Sequence, residues 1–332
     1  MQVKLVTITV HQQGQRLDNF LFNQLNGVPR SLVYRIVRKG EVRVNKCRSK
    51  PDYKLKIHDQ VRIPPVRLPS SQQIPLVSRS LKQALQSAVL YESPSLLIIN
   101  KPSGLAVHGG SGIKLGLIEA LRQIYSHYGL LELVHRLDRD TSGCVMIAKQ
   151  RSALCQLHEM LHDGSINKIY QILVTGAWSP KCRQVDAPLD KYVIQSGRRL
   201  VHVNQSGKWS LTRYRLLREL VGPLGHFSLL EAQPVTGRTH QIRVHCQYAG
   251  HVIVGDDKYG DDQINQRLRK VGLQRLFLHA RMLRLKDPLS GQDVEVVAPM
   301  DAQMQGILSY LQSGRPTPID TTYERDLLHE PL

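Results

Sequence analysis

The sequence predicts an α+β protein in two parts: a small basic N-terminal domain, then a larger domain of short apolar strands and helices. Three observations lead there. Apolar residues repeat at helical spacing in some stretches (Leu17, Phe20, Leu21, Leu25) and run together as strands in others (Leu96-Leu97-Ile98-Ile99). Pro64 to Ser80 is rich in Pro and Ser and reads as a linker between the two patterns. Charge is also uneven: residues 1–82 hold 16 Lys/Arg against four Asp/Glu, a balance of +12 within a total of +18. A chain of 332 residues has room for two such domains. The expected boundaries are 1–65 for the N-terminal domain with its core from residue 14, 66–88 for the linker, 89–312 for the larger domain and 313–332 for a polar, flexible tail.

In the first domain, residues 1–10 alternate as an edge strand or arm would. The helix of Leu17 to Leu25 breaks at Gly27-Val28-Pro29. Ser31 is placed as the N-cap of a second helix with Leu32, Val33, Ile36 and Val37 on one face, and Gly40 as its C-terminal cap. Arg35, Arg38 and Lys39 fall on the other face. Glu41 to Asn45 alternates as a strand, Asn45-Lys46 turns, and Asp59 to Ile63 closes the unit. Between Arg30 and Lys50 stand eight basic residues and one acid. Arg30, Arg35, Arg38, Lys39, Arg43 and Lys46 thus make a surface suited to phosphates, and the charge implies a polyanionic partner. A merely basic soluble protein would mix its signs, which this segment does not.

The larger domain opens near Val89. Leu96 to Asn100 reads as a buried strand, Gly109, Gly110 and Gly112 as a flexible loop, and Leu117 to Tyr128 as a helix. Ala153, Leu154, Leu157, Met160 and Leu161 mark another helix, and Ile169 to Val174 another strand. Between the apolar runs Leu130–Val134 and Cys144–Ala148 lies the charged loop Val134-His135-Arg136-Leu137-Asp138-Arg139-Asp140-Thr141-Ser142-Gly143. Charges held between two core strands need partners, and a loop fixed in this way is a common site of catalytic side chains. The residues alone leave both Asp138 and Asp140 open as the working carboxylate. Thr236 to His245 is a second densely polar stretch, and Gly255 to Gly260 a glycine-bounded loop.

Other chemistries fit poorly. His158-Glu159-Met160-Leu161-His162 matches the HExxH zinc pattern, but no downstream His supplies the third metzincin ligand. His135-Arg136-Leu137-Asp138 is not the His-Arg-Asp of a kinase, and neither a kinase glycine-rich loop nor a P-loop accompanies it. Five dispersed cysteines without a CxxC pair signal neither a zinc ribbon nor a redox motif. No signal-like run opens the chain, and no stretch approaches the ~20 apolar residues of a membrane span. The expectation is a cytoplasmic protein with reduced thiols, no metal and no membrane partner.

The His135–Gly143 loop closely resembles the catalytic motif of the RluA family of pseudouridine synthases. Asn100-Lys101-Pro102-Ser103-Gly104, Lys168-Ile169-Tyr170 and Gly237-Arg238-Thr239-His240-Gln241-Ile242-Arg243-Val244-His245 match further blocks in order. Gly14-Gln15-Arg16-Leu17-Asp18, Ser31, Arg35, Gly40 and Val42-Arg43-Val44-Asn45 resemble the S-four RNA-binding module. The likeness runs from about residue 14 to 312. His108-Gly109-Gly110-Ser111-Gly112 and the Arg30–Lys50 segment make it most similar to the enzymes that modify 23S ribosomal RNA of the large subunit or its precursor.

The resemblance implies a mixed, mainly antiparallel sheet flanked by helices and a reaction that needs no cofactor; a monomer is expected. It implies cleavage of the uridine C1′ glycosidic bond, rotation of the base and rejoining through C5. Asp138 matches the catalytic carboxylate, placed to attack C1′ or stabilise an oxocarbenium-like centre as in glycosidases. Arg243 matches the arginine that pairs with it. Tyr170 matches the tyrosine that stacks on the base, with a phenol available for proton transfer. Arg136 matches the arginine that fills the gap left when the uridine flips out, a step expected because a stacked base shields its reacting atoms. Asp140 then shapes the turn, and His135, His240 and His245 are expected to be structural or to contact RNA. Lys101 is either an RNA contact or a strand-end charge. The alternatives are a non-catalytic RNA-binding or ribosome-assembly factor, and the same chemistry on transfer RNA.

Overall fold

A computed structural model describes residues 3–25, 28, 30–66, 75–110, 113–193 and 199–313. The chain divides into two compact units, Met1–Pro75 and Leu76–Leu332.

The first unit contains β1 (Lys4–Thr7), α1 (Leu17–Gln24), α2 (Arg30–Arg38), β2 (Arg43–Val44) and β3 (Gln60–Ile63). Its sheet runs β1-β3-β2, with β1 on an edge. Leu17, Phe20 and Leu21 of α1 and Val33, Ile36 and Val37 of α2 bury against Val44 and Val61 of this sheet. That apolar stripe leaves Arg35, Arg38 and Lys39 exposed on the opposite side of α2. The helix begins at Arg30, so Ser31 lies in its first turn and not at its cap. The strand expected over Glu41–Asn45 shortens to Arg43–Val44, because Asn45 and Lys46 both take left-handed φ values of 50° and 68°. Val44 and Cys47 exchange backbone hydrogen bonds across this two-residue turn (3.0 and 2.9 Å), which holds it tight.

The second unit contains α3 (Arg79–Ser87), β4 (Val89–Glu92), β5 (Leu96–Lys101), α4 (Leu117–Ile124), β6 (Glu132–Leu133), β7 (Ser142–Ala148), α5 (Arg151–Asp163), β8 (Asn167–Thr175), β9 (Gln184–Asp186), β10 (Leu189–Val193), β11 (Arg199–Val203), β12 (Leu211–Gly222), β13 (Gly225–Pro234), α6 (Gln241–Tyr248), α7 (Asp262–Lys270), β14 (Leu278–Lys286), β15 (Asp293–Val297) and α8 (Ala302–Ser313). The stretch read as linker over 66–88 therefore contains a helix. The hydroxyl of Ser78 accepts from the Leu81 amide to cap α3, and Leu81 and Leu85 bury in the core of this unit. The tail expected from 313 lies outside the described residues apart from Ser313.

The main sheet runs β4-β5-β7-β14-β8-β13-β12-β9, with β15 also paired to β14 and β6 to β7. β7 and β14 are parallel (His279↔Ser142, Ala280↔Gly143), while their other neighbours are antiparallel. Its central strands are covered on both faces. Leu97, Ile99, Val145 and Ile147 pack toward α3 and α4, while Leu96, Ile98, Met146 and Ala148 pack toward Leu154 and Leu157 of α5. Coverage of both faces is why β5 and β7 read as unbroken apolar runs. A further core joins β8, β12 and β13 to α6, α7 and α8. No helix among the described residues is long and apolar enough to cross a membrane.

Candidate active site

The charged loop is fixed at both ends by the sheet. It leaves β6 and enters β7, every residue of which is buried. At the entry, one row of paired residues crosses four strands: Lys101, Gly143, Ala280 and Tyr170. Gly143 has φ +107°, and a Cβ there would lie 2.3 Å from the Ala280 carbonyl oxygen, so only glycine permits the close β7/β14 approach. That approach brings Tyr170, 27 positions after Gly143 in sequence, beside the loop.

A second set of bonds ties the loop to the Lys101–Leu105 turn. The Lys101 ammonium is fully buried and donates to the carbonyls of Pro102, Leu105 and Arg139 (2.8, 2.8 and 2.9 Å). The Gly104 amide donates to the Arg139 carbonyl, and the Ser103 hydroxyl to that of Asp140 (2.8 Å). Burial pulls the Lys101 pKa down to about 7. Lys101 is thus neither an RNA contact nor a strand-end charge; it is an internal brace. Within the loop the Thr141 amide donates to the Asp138 carbonyl, and the Arg139 guanidinium reaches the carboxylate of Asp140 (2.9 Å). The Asp140 side chain therefore points to Arg139 and its carbonyl to Ser103. His135 accepts from the Met146 amide through Nε2 (3.1 Å), and burial lowers it to about 4.

The Asp138 carboxylate is about a quarter exposed and meets Arg243, whose Nη1 donates to Oδ2 at 3.1 Å. Arg243 stands in the first turn of α6 and is buried. Its other two nitrogens, Nε and Nη2, donate to both oxygens of Asp256 (2.7 and 2.6 Å). Asp256 also accepts from the amides of Lys258 and Tyr259. Burial opposes charge on both partners. The hydrogen bonds and opposite charges outweigh it, holding Asp256 below the usual carboxylate range and Arg243 above its ordinary value. The guanidinium is thus clamped from behind, with one nitrogen presented to Asp138.

Residues 236–245 form the scaffold for this arrangement. Gln241 accepts from the Thr236 hydroxyl and the Arg238 amide, and donates to the Leu211 carbonyl and the Thr212 hydroxyl. His245 is fully buried between Thr212 Oγ1 and the Ala187 carbonyl, which makes it structural. His240, left-handed at the helix cap, lies inside the site, with Nδ1 2.7 Å from the Tyr259 hydroxyl and Nε2 3.8 Å from Asp138 Oδ2. Burial, opposed by Asp138 and reinforced by Arg243, lowers it to about 4, so the ring is neutral near pH 7.

Asp138 opens into a cleft of about 930 Å³ lined by Arg136, Lys168, Tyr170, Trp209, Arg238 and His240 among others. Burial, reinforced by the Asp138 charge, raises the Tyr170 phenol well above its ordinary value, so the ring is neutral. Arg136 is exposed at the cleft. His158 of the zinc-like pattern bonds the Val134 carbonyl (3.1 Å), and no cluster of three or more metal-ligating side chains occurs among the described residues.

In the first unit Arg35, Arg38, Lys39, Arg43 and Lys46 are all exposed, and none forms an ion pair with a carboxylate among the described residues. The Arg30 side chain lies outside what is described.

Residues 95–248 match the RNA pseudouridylate synthase family and residues 15–61 the S4 domain. A ribosomal large subunit pseudouridine synthase C of Pasteurella multocida is 50% identical over 314 residues, covering 94% of this chain and 95% of that protein. Its Escherichia coli counterpart is 50% identical over 317 residues, covering 94% and 98%. The chain belongs to the RluA-type RNA pseudouridine synthases. A solved structure, human RNA pseudouridylate synthase domain containing 4, is similar at TM-score 0.56 and 27% identity over 70% of this chain and 95% of that one.

Two members of this candidate site carry no role in the sequence reading. Asp256 lies in the glycine-bounded loop, and Tyr259 three residues on. A signal for Asp256 exists in principle: a buried guanidinium offers five N–H donors, more than one Asp accepts. It indicates that a further acceptor is needed but not which carboxylate supplies it.

Proposed function

We propose that this synthase converts uridines of large-subunit (23S) ribosomal RNA to pseudouridine in the cytoplasm, acting as a monomer without a cofactor, with Asp138 as the catalytic carboxylate. The observation that carries this reading is the Arg243 guanidinium, clamped by Asp256 and presented to Asp138 at a cleft with room for a flipped nucleotide. Preorganised charge of this kind costs no reorganisation when charge moves in the reaction. The C1′–N1 bond breaks, the uracil turns, and C1′ joins C5; the proton lost from C5 is balanced by the one gained at N1, so the product is an isomer. Asp138 acts at C1′. A neutral Tyr170 ring supports stacking on the base, and an anionic base role would first require an unfavourable ionisation. Arg136 at the mouth fills the gap left by the flipped uridine. The exposed cations of the first unit, Arg35, Arg38, Lys39, Arg43 and Lys46, hold the folded RNA together with Arg30. The relatives' name supports the substrate assignment.

Isomerisation leaves mass unchanged, so a pseudouridine-specific chemical label on 23S ribosomal RNA is the test. Wild type labels; Asp138→Asn falls by at least about 10³-fold, as when a sole reacting group is removed. Equal labelling by the two proteins would sink the enzyme assignment of Asp138. Label on transfer RNA but none on ribosomal RNA would overturn the substrate.

A further inference from the structure

Beside the cleft lies a second, smaller cavity of about 270 Å³. Gly237 and Arg238 line both. The smaller one is also lined by Lys191 and Lys208, with Asp190 as its acid. Lys191, Lys208 and Arg238 are exposed and form no ion pair with a carboxylate among the described residues. Backbone hydrogen bonds between Lys208 and Leu189, 2.9 Å in each direction, fix Lys208 opposite a residue two positions from Lys191, and both lysines line the cavity.

Trp209 follows Lys208 and lines the large cleft, yet it is 54% exposed. The chain has two tryptophans, and the other, Trp178, is buried at 1%. An indole open to water presents a face on which a base can stack. This one is already fixed: its Nε1 donates to Asp186 (3.0 Å), and Arg238 Nε donates to its carbonyl (3.2 Å). A pinned ring loses little freedom on stacking. The cations beside it are the complement of a phosphate.

We propose that Trp209 stacks the base of a nucleotide adjoining the target uridine, while Lys191, Lys208 and Arg238 take that nucleotide's phosphate in the smaller cavity. The assignment rests on the reading of Asp138 as the centre of an RNA-modifying cleft. It extends that site from one nucleotide to at least two, so part of the choice among uridines is made by the neighbour's fit. Stacking tolerates any base, and the phosphate contact is salt-sensitive.

Tryptophan emission reads this directly, because Trp178 is shielded. With the full-length protein, single-stranded pentauridylate should quench the emission of wild type saturably and leave that of Trp209→Phe unchanged. On ribosomal RNA, Trp209→Ala should raise KM about tenfold with kcat near wild type, and Trp209→Phe should restore most of the loss. Lys191→Gln with Lys208→Gln should raise KM and flatten its salt dependence. An unquenched wild type, or a Trp209→Ala protein with wild-type KM, overturns the subsite. Pseudouridine labelling separates the two readings. If wild type labels ribosomal RNA but Trp209→Ala matches its KM, the subsite falls and the function stands. If wild type labels no RNA, the function falls, and the quench alone decides the subsite.

Discussion

Arg243 and the Arg35–Arg38–Lys39 face of α2 use the same kind of charge in opposite ways. Arg243 is buried and each of its three nitrogens donates to one of two carboxylates, one of them behind it. Arg35 and Arg38 of α2 and Lys39 just after it are exposed and pair with no carboxylate among the described residues, on a helix whose other face is core. A clamped charge cannot follow a ligand; it fixes the direction in which another group is held. A free charge exchanges its counterions for phosphates and tolerates many geometries. Under the proposed function, chemistry at one carbon atom uses the first arrangement, and docking on a large folded RNA the second.

Loosening the clamp should have the largest effect. Arg243→Lys keeps a charge but loses the planar fork that spans Asp138 and Asp256. The expected result is a fall in kcat of about 10² to 10³-fold, with RNA affinity unchanged by filter binding. A large loss of affinity with kcat preserved would place Arg243 in docking and erase the contrast. Asp256→Asn is the paired test. Removing one partner of a buried pair costs about 3–5 kcal/mol, so the melting temperature should drop along with kcat. Wild-type activity in Asp256→Asn would show that Arg243 needs no support from behind.

The α2 face should respond in the reverse sense. Replacing Arg35, Arg38 and Lys39 together by Gln should leave kcat within about twofold on saturating RNA. The slope of log affinity against log salt should become shallower by about 2 to 3, since each lost phosphate contact removes somewhat less than one unit. An unchanged slope would mean that these side chains do not touch phosphate.

Much of this contrast is legible in the sequence. The α2 cations stand out because helical spacing puts apolar residues on one face and leaves Arg and Lys on the other. The Asp138 loop stands out because charges interrupt two apolar runs; the second is the buried strand β7, while the first shortens to the half-buried two-residue β6. The likeness to a family joins Asp138 to Arg243, 105 positions away. Periodicity could not have done so, because that contact depends on how α6 sits against the sheet. Asp256 is invisible for the same reason: an Asp in a glycine-bounded loop looks solvated until the fold buries it. Lys101 misleads in the opposite direction, since a lysine at a strand end normally reaches water, and here two carbonyls of the Lys101–Leu105 turn and the Arg139 carbonyl close around it. The α3 helix was hidden by the Pro and Ser before it, although Ser78 is its cap. Trp209 gives no signal of its own in sequence, because its exposure is decided by the strands around it.

The smallest effect concerns what holds the loop itself, and it is read by pH. His135 is neutral at pH 7 and accepts from the Met146 amide; burial lowers its pKa to about 4. In the unfolded chain a histidine titrates near 6.5. Between these values the unfolded state binds the extra proton and the native state does not, so stability rises with pH there and is lost on acidification from about 6.5 to 4. At pH 5 the term amounts to about 2 kcal/mol. His279, also buried and lowered to about 4, adds a similar term, so wild type should lose stability by more than His135 alone explains. His135→Gln removes one titrating group and keeps a hydrogen-bond acceptor. Urea melts at pH 7 and pH 5 should therefore show a smaller loss for this variant than for wild type. The α2 variant should lose as much as wild type, because it leaves the buried histidines untouched. If His135→Gln and wild type lose stability equally, the imidazole is not the neutral brace of the loop, and the fixed half of the comparison rests on Lys101 and Gly143 alone.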